Sequence, residues 1–202
     1  MYKVTYLIEK FITQHADEVI TSNEGLKTFI INNFKVKSIT VEKDLPDRSM
    51  FNPGVQPATL AIPKNKIVIV YLGGLQLYKG IDYLLKAIPY TNHKYHFLIM
   101  GYPDEECRII AKKLGIMDRI TFTGKIPYEQ APSYLKLGRI AISPKTTESG
   151  EANAKLYNYL AMGLKVICFD IPENHKILKG EGIYVKERNI NDLINKINEL
   201  VV

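Results

Sequence analysis

Apolar and polar positions alternate along most of the chain in two different rhythms. Largely apolar runs such as residues 95–100 are typical of buried strands, whereas segments such as 105–114 repeat their apolar residues at the three-to-four spacing of a helix. The predicted strands are 66–72, 95–100, 120–123, 139–142, 165–169 and 182–185, and the predicted helices are 80–88, 105–114, 128–137, 149–163 and 190–200. Strands that alternate with helices indicate βαβ units. We therefore expect an α/β fold with a Rossmann-like, doubly wound parallel sheet.

The first fifty residues follow this alternation less cleanly. Their pattern predicts helices at 4–15 and 25–33 and strands at 18–22 and 38–41. The following segment, 43–64, contains four of the ten prolines and little periodicity, which is typical of a connector. We expect two parts, an N-terminal segment of residues 1–53 and a main domain of residues 54–202.

One predicted helix, residues 149–163, carries its polar groups on one side. Glu151, Lys155 and Asn158 are spaced i, i+4 and i+7, and Ser149 is a candidate N-cap. The amino end of such a helix attracts anions, which favours a phosphorylated ligand. The alternative is a solvated surface pair between Glu151 and Lys155, which contributes only about 0.3 to 0.5 kcal/mol.

Composition narrows the class of protein. The chain has 202 residues, of which 46% are hydrophobic, so it is long enough to bury a sizeable core. The net charge of +6 comes from scattered lysines and not from a block of like charges. This distribution favours a solvated surface over nucleic-acid binding, although a mildly basic face is also compatible with contact to anionic lipid.

Cysteine and histidine usage gives no sign of a disulfide or a metal site. Cys107 and Cys168 lie in different segments and are expected to be buried free thiols in a reducing compartment. The four histidines lack metal-ligand spacing and no pair of aspartates marks a cation site, so we expect no metal. No apolar run approaches the roughly 20 residues needed to cross a bilayer, and no signal pattern is present. We expect a cytoplasmic protein, with peripheral membrane contact as a further option.

Several consecutive motifs resemble one known family. They are Tyr71-Leu72-Gly73-Gly74 with Lys79-Gly80-Ile81-Asp82, Phe97-Leu98-Ile99-Met100-Gly101, 120–127, Ile140-Ala141-Ile142-Ser143-Pro144, 148–163 and 166–172. Their order is similar to that in the C-terminal, nucleotide-sugar-binding domain of GT-B glycosyltransferases, above all the retaining enzymes of glycosyltransferase family 4. Residues 15–22 and 51–53 resemble the last strand of that family's N-terminal acceptor domain and the end of its linker. The resemblance implies a donor-binding domain with only the tail of an acceptor domain.

The resemblance also implies roles for individual residues. Gly73, Gly74 and Lys79 would approach the donor diphosphate, while backbone groups around Gly124 and Ile126 would hold the base. The family usually has Arg where this chain has Gly74. The other donor-binding residues would be Glu148, Ser149, Gly150, Lys155 and Asn158.

The family's signature pair of glutamates is not strictly kept. Gly150 and Asn158 occupy the two positions, and Glu148 and Glu151 flank the first of them. Glu151 is the better substitute, so Lys79 and Glu151 are the expected catalytic residues. Tyr78 and Tyr128 flank predicted strand-end loops, where ligands bind in open α/β sheets.

Three functions follow from the resemblance. The first is transfer of a sugar, with retention, from a nucleoside diphosphate sugar to a glycan or lipid acceptor, without a metal or other cofactor. A separate chain, the rest of a longer chain or a second copy would then supply the acceptor side. The second is a non-catalytic module or half-subunit that binds nucleotide sugars, which the departures at Gly74 and Asn158 favour. The third is a related GT-B epimerase.

Overall fold

The computed structural model describes residues 2–147 and 152–200, and these divide into two compact units between Leu45 and Pro46. The division precedes the boundary expected after residue 53. Phe51 is fully buried and packs in the core of the second unit. The segment before residue 53 therefore contributes to both units.

The N-terminal unit is a small α/β arrangement. Its elements are α1 (Tyr2–His15), β1 (Val19–Thr21), α2 (Glu24–Asn33) and β2 (Ile39–Val41). The two strands pair in parallel, with Val19 opposite Ile39. Asn23 caps α2 by accepting a hydrogen bond from the Leu26 N–H at 2.8 Å. The four elements match those that the sequence pattern predicts.

One stripe of α1 is both apolar and exposed. Its side chains follow the i, i+3, i+4, i+7 spacing, and each is between 54 and 62% exposed. These residues are Val4, Leu7, Ile8, Phe11 and Ile12. The periodicity that predicts the helix therefore marks an uncovered face in the described part of the chain.

The C-terminal unit alternates strands and helices. Its strands are β3 (Ile67–Leu72), β4 (Tyr95–Met100), β5 (Ile120–Gly124), β6 (Ile140–Ser143), β7 (Lys165–Phe169) and β8 (Ile183–Val185). Its helices are α3 (Ile81–Ala87), α4 (Glu105–Lys113), α5 (Ala131–Leu135), α6 (Lys155–Ala161), α7 (Pro172–Leu178) and α8 (Ile190–Asn198).

The six strands form one parallel sheet in the order β5-β4-β3-β6-β7-β8. Side chains of β3 alternate between two cores: Ile69 and Tyr71 pack with α3, α4 and α8, whereas Val68 and Val70 pack with α5, α6 and α7. Helices therefore cover both faces, and the predicted doubly wound α/β fold is confirmed. From β3 the chain runs first to β4 and β5 and then returns to β6, so the winding reverses between β3 and β6.

Two helices differ from the sequence prediction. Helix α6 begins at Lys155 and not near Ser149, which itself lies outside the described residues. The Ala152 carbonyl accepts a hydrogen bond from the Lys145 ammonium at 2.8 Å, and the Asn153 side chain bonds to Ser143 and Asn174. Both residues precede α6, and the Asn153 carbonyl accepts a hydrogen bond from the Leu156 N–H at 3.0 Å. The short helix α7 lies in a stretch for which the sequence analysis predicts no element; it opens with Pro172, whose fixed φ suits the first turn of a helix.

Both cysteines are buried free thiols, as expected. In the part of the chain that the structure describes, no helix combines the length and the apolar character that a bilayer crossing requires.

Candidate functional site

A cleft of about 290 Å³ opens at the carboxyl end of β3, beside the point where the winding reverses. Open α/β sheets bind ligands at such a switch point. The described lining residues are Leu72, Gly73, Gly74, Lys79, Tyr128, Lys145, Ala152, Asn153, Ala154, Lys155 and Asn158.

The floor of the cleft is the glycine pair that follows β3. Gly73 has φ +143°, which side chains rarely adopt, and a Cβ there would lie 2.6 Å from the Lys155 Nζ. The Lys155 ammonium also lies 4.2 Å from the centroid of the Tyr71 ring. The Tyr71 hydroxyl donates to the Gly74 carbonyl at 2.8 Å. The absence of a side chain at Gly73 thus lets the ammonium approach the backbone.

A second glycine brings two loops together at the cleft wall. Gly80 has φ +87°, and a Cβ there would collide with the Pro144 carbonyl. This close packing places the residues beside it, Lys79 and Lys145, on the same cleft. Lys145 is only 6% exposed, and its Nζ donates to the Ala152 carbonyl. Sequence reasoning missed Lys145, although its position just after a strand end was a usable signal.

The described lining of the cleft is positively charged. Lys79, Lys145 and Lys155 all line it, and none of the described lining residues is acidic. Clustered ammonium groups over an accessible backbone are suited to an anion with several oxygens, such as a diphosphate.

Tyr159 joins the two strands at the switch point. The ladder between β3 and β6 reaches only Val70 and Ala141. Beyond it, the Tyr159 hydroxyl accepts a hydrogen bond from the Leu72 N–H at 2.8 Å and lies 3.4 Å from the Ile142 carbonyl. Burial raises the pKa of Tyr159 well above its usual range, so this hydroxyl stays protonated.

A neighbouring cleft of about 260 Å³ lies on the other side of the glycine pair. Its lining residues are Leu72, Gly73, Gly74, Met100, Gly101, Tyr102, Lys125 and Ile126. Gly124 is not among them, but its carbonyl accepts a hydrogen bond from the Gly101 N–H at 3.1 Å. The Lys125 Nζ lies 5.2 Å from the centroid of the Tyr102 ring.

The structure brings most of the residues singled out in the sequence to this region. Gly73, Gly74, Lys79, Lys155 and Asn158 line the first cleft, together with Tyr128. Ile126 lines the neighbouring cleft, whereas Tyr78 lies in a separate pocket.

Four predicted site residues lie outside the described residues: Glu148, Ser149, Gly150 and Glu151. Of the helix predicted over residues 149–163, the described part becomes helical only at Lys155, so Ala152 and Asn153 correct that prediction. The expected face shared by Glu151 with Lys155 and Asn158 lies partly outside the described residues.

The parallel, doubly wound sheet with lysines lining a cleft at its switch point is an α/β arrangement that is suited to an anionic ligand. Residues 66–202 match the family model described as glycosyl transferases group 1. The chain belongs to this family.

Relatives and solved structures agree with that assignment. An uncharacterized glycosyltransferase of Haemophilus influenzae is 28% identical over 200 residues, covering 92% of this chain and 52% of the relative. The structure of Anabaena HepE in complex with UDP and glucose superposes with a TM-score of 0.79 at 14% identity, covering 98% of this chain and 57% of HepE.

Sucrose-phosphate synthase from Thermosynechococcus elongatus gives a TM-score of 0.77 at 20% identity, covering 96% of this chain and 51% of the synthase. These matches show that the fold is that of GT-B glycosyltransferases. The chain spans about half the length of the curated relatives it matches.

Proposed function

We propose that the C-terminal unit binds a nucleoside diphosphate sugar and acts in transfer of its sugar to a glycan or lipid acceptor, as the donor-binding domain of a family 4 glycosyltransferase. The observation that carries the proposal is that Lys79, Lys145 and Lys155 line one cleft at the switch point, with Lys155 close to Gly73 and Lys79 close to Gly74. Among similar structures, that of Anabaena HepE contains UDP and glucose, which supports a nucleoside diphosphate as the ligand.

The three lysines have a direct role in this chemistry. As the bond between sugar and diphosphate breaks, negative charge grows on the departing phosphate oxygens. Preorganised positive groups that meet this charge usually make the largest contribution to catalysis. We assign this role to Lys79, Lys145 and Lys155, so the proposed reaction needs no metal ion. Retention of configuration, and a contribution from Glu151, belong to the same proposal.

The neighbouring cleft is the proposed site of the nucleobase. It shares Gly73 and Gly74 with the cationic cleft, so a ligand bound across the glycine pair would place its two ends in the two clefts. Backbone groups near Ile126 would then contact the base. The amide of Asn158 would hydrogen-bond the ribose. The groups that bind the acceptor belong, in this proposal, to the half of the relatives that this chain does not span.

Calorimetric titration of the chain with UDP, GDP and ADP tests the proposal. Lys79→Gln, Lys145→Gln and Lys155→Gln are each expected to weaken binding about tenfold or more, because each removes a charge-assisted hydrogen bond. Lys112→Gln is the matched control, since Lys112 is exposed on α4. Affinities that do not change in any of the three cleft variants would contradict the proposed site.

A non-catalytic binding module is the second candidate. It is favoured by the neutral amide of Asn158 in the cleft, which binds a ribose hydroxyl less strongly than a carboxylate does. An assay of sugar release from UDP- and GDP-linked hexoses, with the N-terminal half of the Haemophilus influenzae relative added, separates the two. Tight nucleotide binding without turnover in that assay would leave only the module.

A further inference from the structure

Three buried polar side chains form a hydrogen-bonded chain behind the cationic cleft. They come from different elements: Ser143 ends β6, Asn153 precedes α6, and Asn174 belongs to α7. Their exposed fractions are 0, 1 and 0%. The Ser143 hydroxyl lies 3.1 Å from the Asn153 Oδ1, and the Asn153 Nδ2 lies 2.8 Å from the Asn174 Oδ1. Polar groups buried this deeply are costly unless every partner is satisfied.

The direction of each hydrogen bond in this chain is fixed from one end. The Phe169 carbonyl can only accept, so the Asn174 Nδ2, 2.8 Å away, donates to it. The Asn174 Oδ1 is thereby turned toward Asn153 and accepts from its Nδ2. The Asn153 Oδ1 is then left to accept from the Ser143 hydroxyl. One backbone carbonyl at the end of β7 thus sets the orientation of both amides.

The segment held in this way is connected to two of the cleft lysines, Lys145 and Lys155. Asn153 is the middle residue of Ala152–Ala154, which lines the cleft and leads directly into Lys155. On the other side of the segment, the Ala152 carbonyl accepts the hydrogen bond from Lys145. Lys145 is therefore attached to this segment through a hydrogen bond, and Lys155 through the chain itself. A shift of the segment would move both ammonium groups relative to Gly73.

We propose that Asn174 and Asn153 are positioning residues that set the separation of Lys145 and Lys155 and so tune the cleft to a diphosphate. This inference rests on the proposed function, since it assigns those lysines to an anion. Asn174 does not line the cleft and acts only through Asn153. The hydrogen-bonded chain thus connects the ends of β6 and β7 with the segment that precedes α6.

Titration of the full chain with inorganic pyrophosphate tests the proposal. Asn174→Leu keeps the number and branching of the side-chain heavy atoms and the neutral charge but removes both hydrogen bonds, and we expect pyrophosphate to bind about tenfold more weakly. Thr91→Val is the matched control, because Thr91 is also buried and hydrogen-bonded, to Ile88 and Arg119 and away from the cleft. Both variants are expected to lower the melting temperature, but only Asn174→Leu should change the affinity.

A double-mutant comparison separates positioning from general loosening of the fold. In a chain that already carries Lys145→Gln and Lys155→Gln, the effect of Asn174→Leu on pyrophosphate affinity should shrink to about twofold or less, because the groups it positions are gone. An undiminished tenfold effect in that background would overturn the inference. If Asn174→Leu does not fold, Ser143→Ala replaces it, with an expected weakening of about threefold.

The two proposals fail in different ways. No binding of pyrophosphate by the unmodified chain would overturn the proposed function. Binding that Asn174→Leu or Ser143→Ala leaves unchanged, while the lysine variants weaken it, would overturn only the positioning role.

Discussion

The Nζ of Lys155 lies 4.2 Å from the centroid of the Tyr71 ring, at the carboxyl edge of the sheet. The ring is fully buried and is fixed by the hydrogen bond from its hydroxyl to the Gly74 carbonyl. A cation over an aromatic face is stabilised by about 0.5 to 2 kcal/mol. Tyr71 therefore holds a flexible lysine at one place in front of Gly73.

Removing this ring should weaken anion binding. We expect Tyr71→Leu to reduce the affinity for a nucleoside diphosphate by roughly three- to thirtyfold, which corresponds to the free energy of the cation–π contact. Tyr71→Phe is the control, because it keeps the aromatic face and loses only the hydroxyl. Calorimetry on both variants checks this. Equal losses of affinity in the two variants would mean that the ring does not position Lys155.

Removing the Tyr159 hydroxyl should destabilise the fold. In Tyr159→Phe the part-buried Leu72 N–H loses its acceptor, and we expect the free energy of unfolding to fall by about 1 to 3 kcal/mol. Urea denaturation followed by circular dichroism measures the change. Tyr90→Phe serves for comparison, because Tyr90 is 70% exposed and its loss should change stability by about 0.5 kcal/mol or less. A Tyr159→Phe chain as stable as the unmodified one would argue against the bridge.

Stability should fall in mild acid because of His96. Burial lowers the pKa of His96, and the nearby charges of Lys66 and Arg119 lower it further, whereas Asp118 acts in the opposite direction. The unfolded chain, with a histidine pKa of 6.5, then binds a proton that the folded chain does not. The free energy of unfolding should therefore decrease as the pH falls below 6.5 toward the lowered pKa, by at most about 1.4 kcal/mol per pH unit.

The variant His96→Gln isolates this contribution. Urea denaturation at several pH values between 7.5 and 5 should give a smaller dependence on pH for His96→Gln than for the unmodified chain. The other histidines and the carboxylates are the same in both proteins. Identical pH profiles would show that His96 does not protonate on unfolding.

The two thiols should react slowly while the protein is folded. Burial raises the pKa of Cys107 to about 11 and that of Cys168 to about 12, so little thiolate exists near pH 8. We expect Ellman's reagent to modify both cysteines only slowly in buffer and rapidly in guanidinium chloride. Cys107→Ala and Cys168→Ala attribute each phase to one residue. Rapid reaction of either thiol in the native protein would contradict the buried environment.

Sequence patterns predict the regular parts of this fold well, and tertiary contacts explain the failures. The observed bounds of β4 and β7 are the same as the predicted ones, because each strand is a largely apolar run that suits a sheet buried on both faces. The predicted start of α6 is wrong because the Asn153 side chain forms hydrogen bonds with Ser143 and Asn174, which lie 10 and 21 residues away in sequence. Such bonds override helix propensity and leave no local signal.

In the candidate site, too, some residues could be predicted from the local sequence and others are placed there only by tertiary contacts. Gly73, Gly74 and Lys79 could be found because they follow a predicted strand within a familiar motif. Lys145 also follows a predicted strand, but its place on this cleft depends on the packing of Gly80 against Pro144, which the local sequence does not indicate. The sequence also does not indicate a role for Asn174, because only the fold shows that this polar side chain is fully buried.

The glycine pair Gly73-Gly74 borders both clefts. A substitution at either glycine would alter both clefts at once. It could not change the contacts to one end of a bound ligand without changing the contacts to the other end. In the proposed binding mode, preferences for different bases would arise at the outer wall of the neighbouring cleft, through residues such as Lys125 and Ile126. Lys79, Lys145 and Lys155 in the first cleft can stay the same while these residues vary. In this proposal, the same fold would then accommodate donors with different bases.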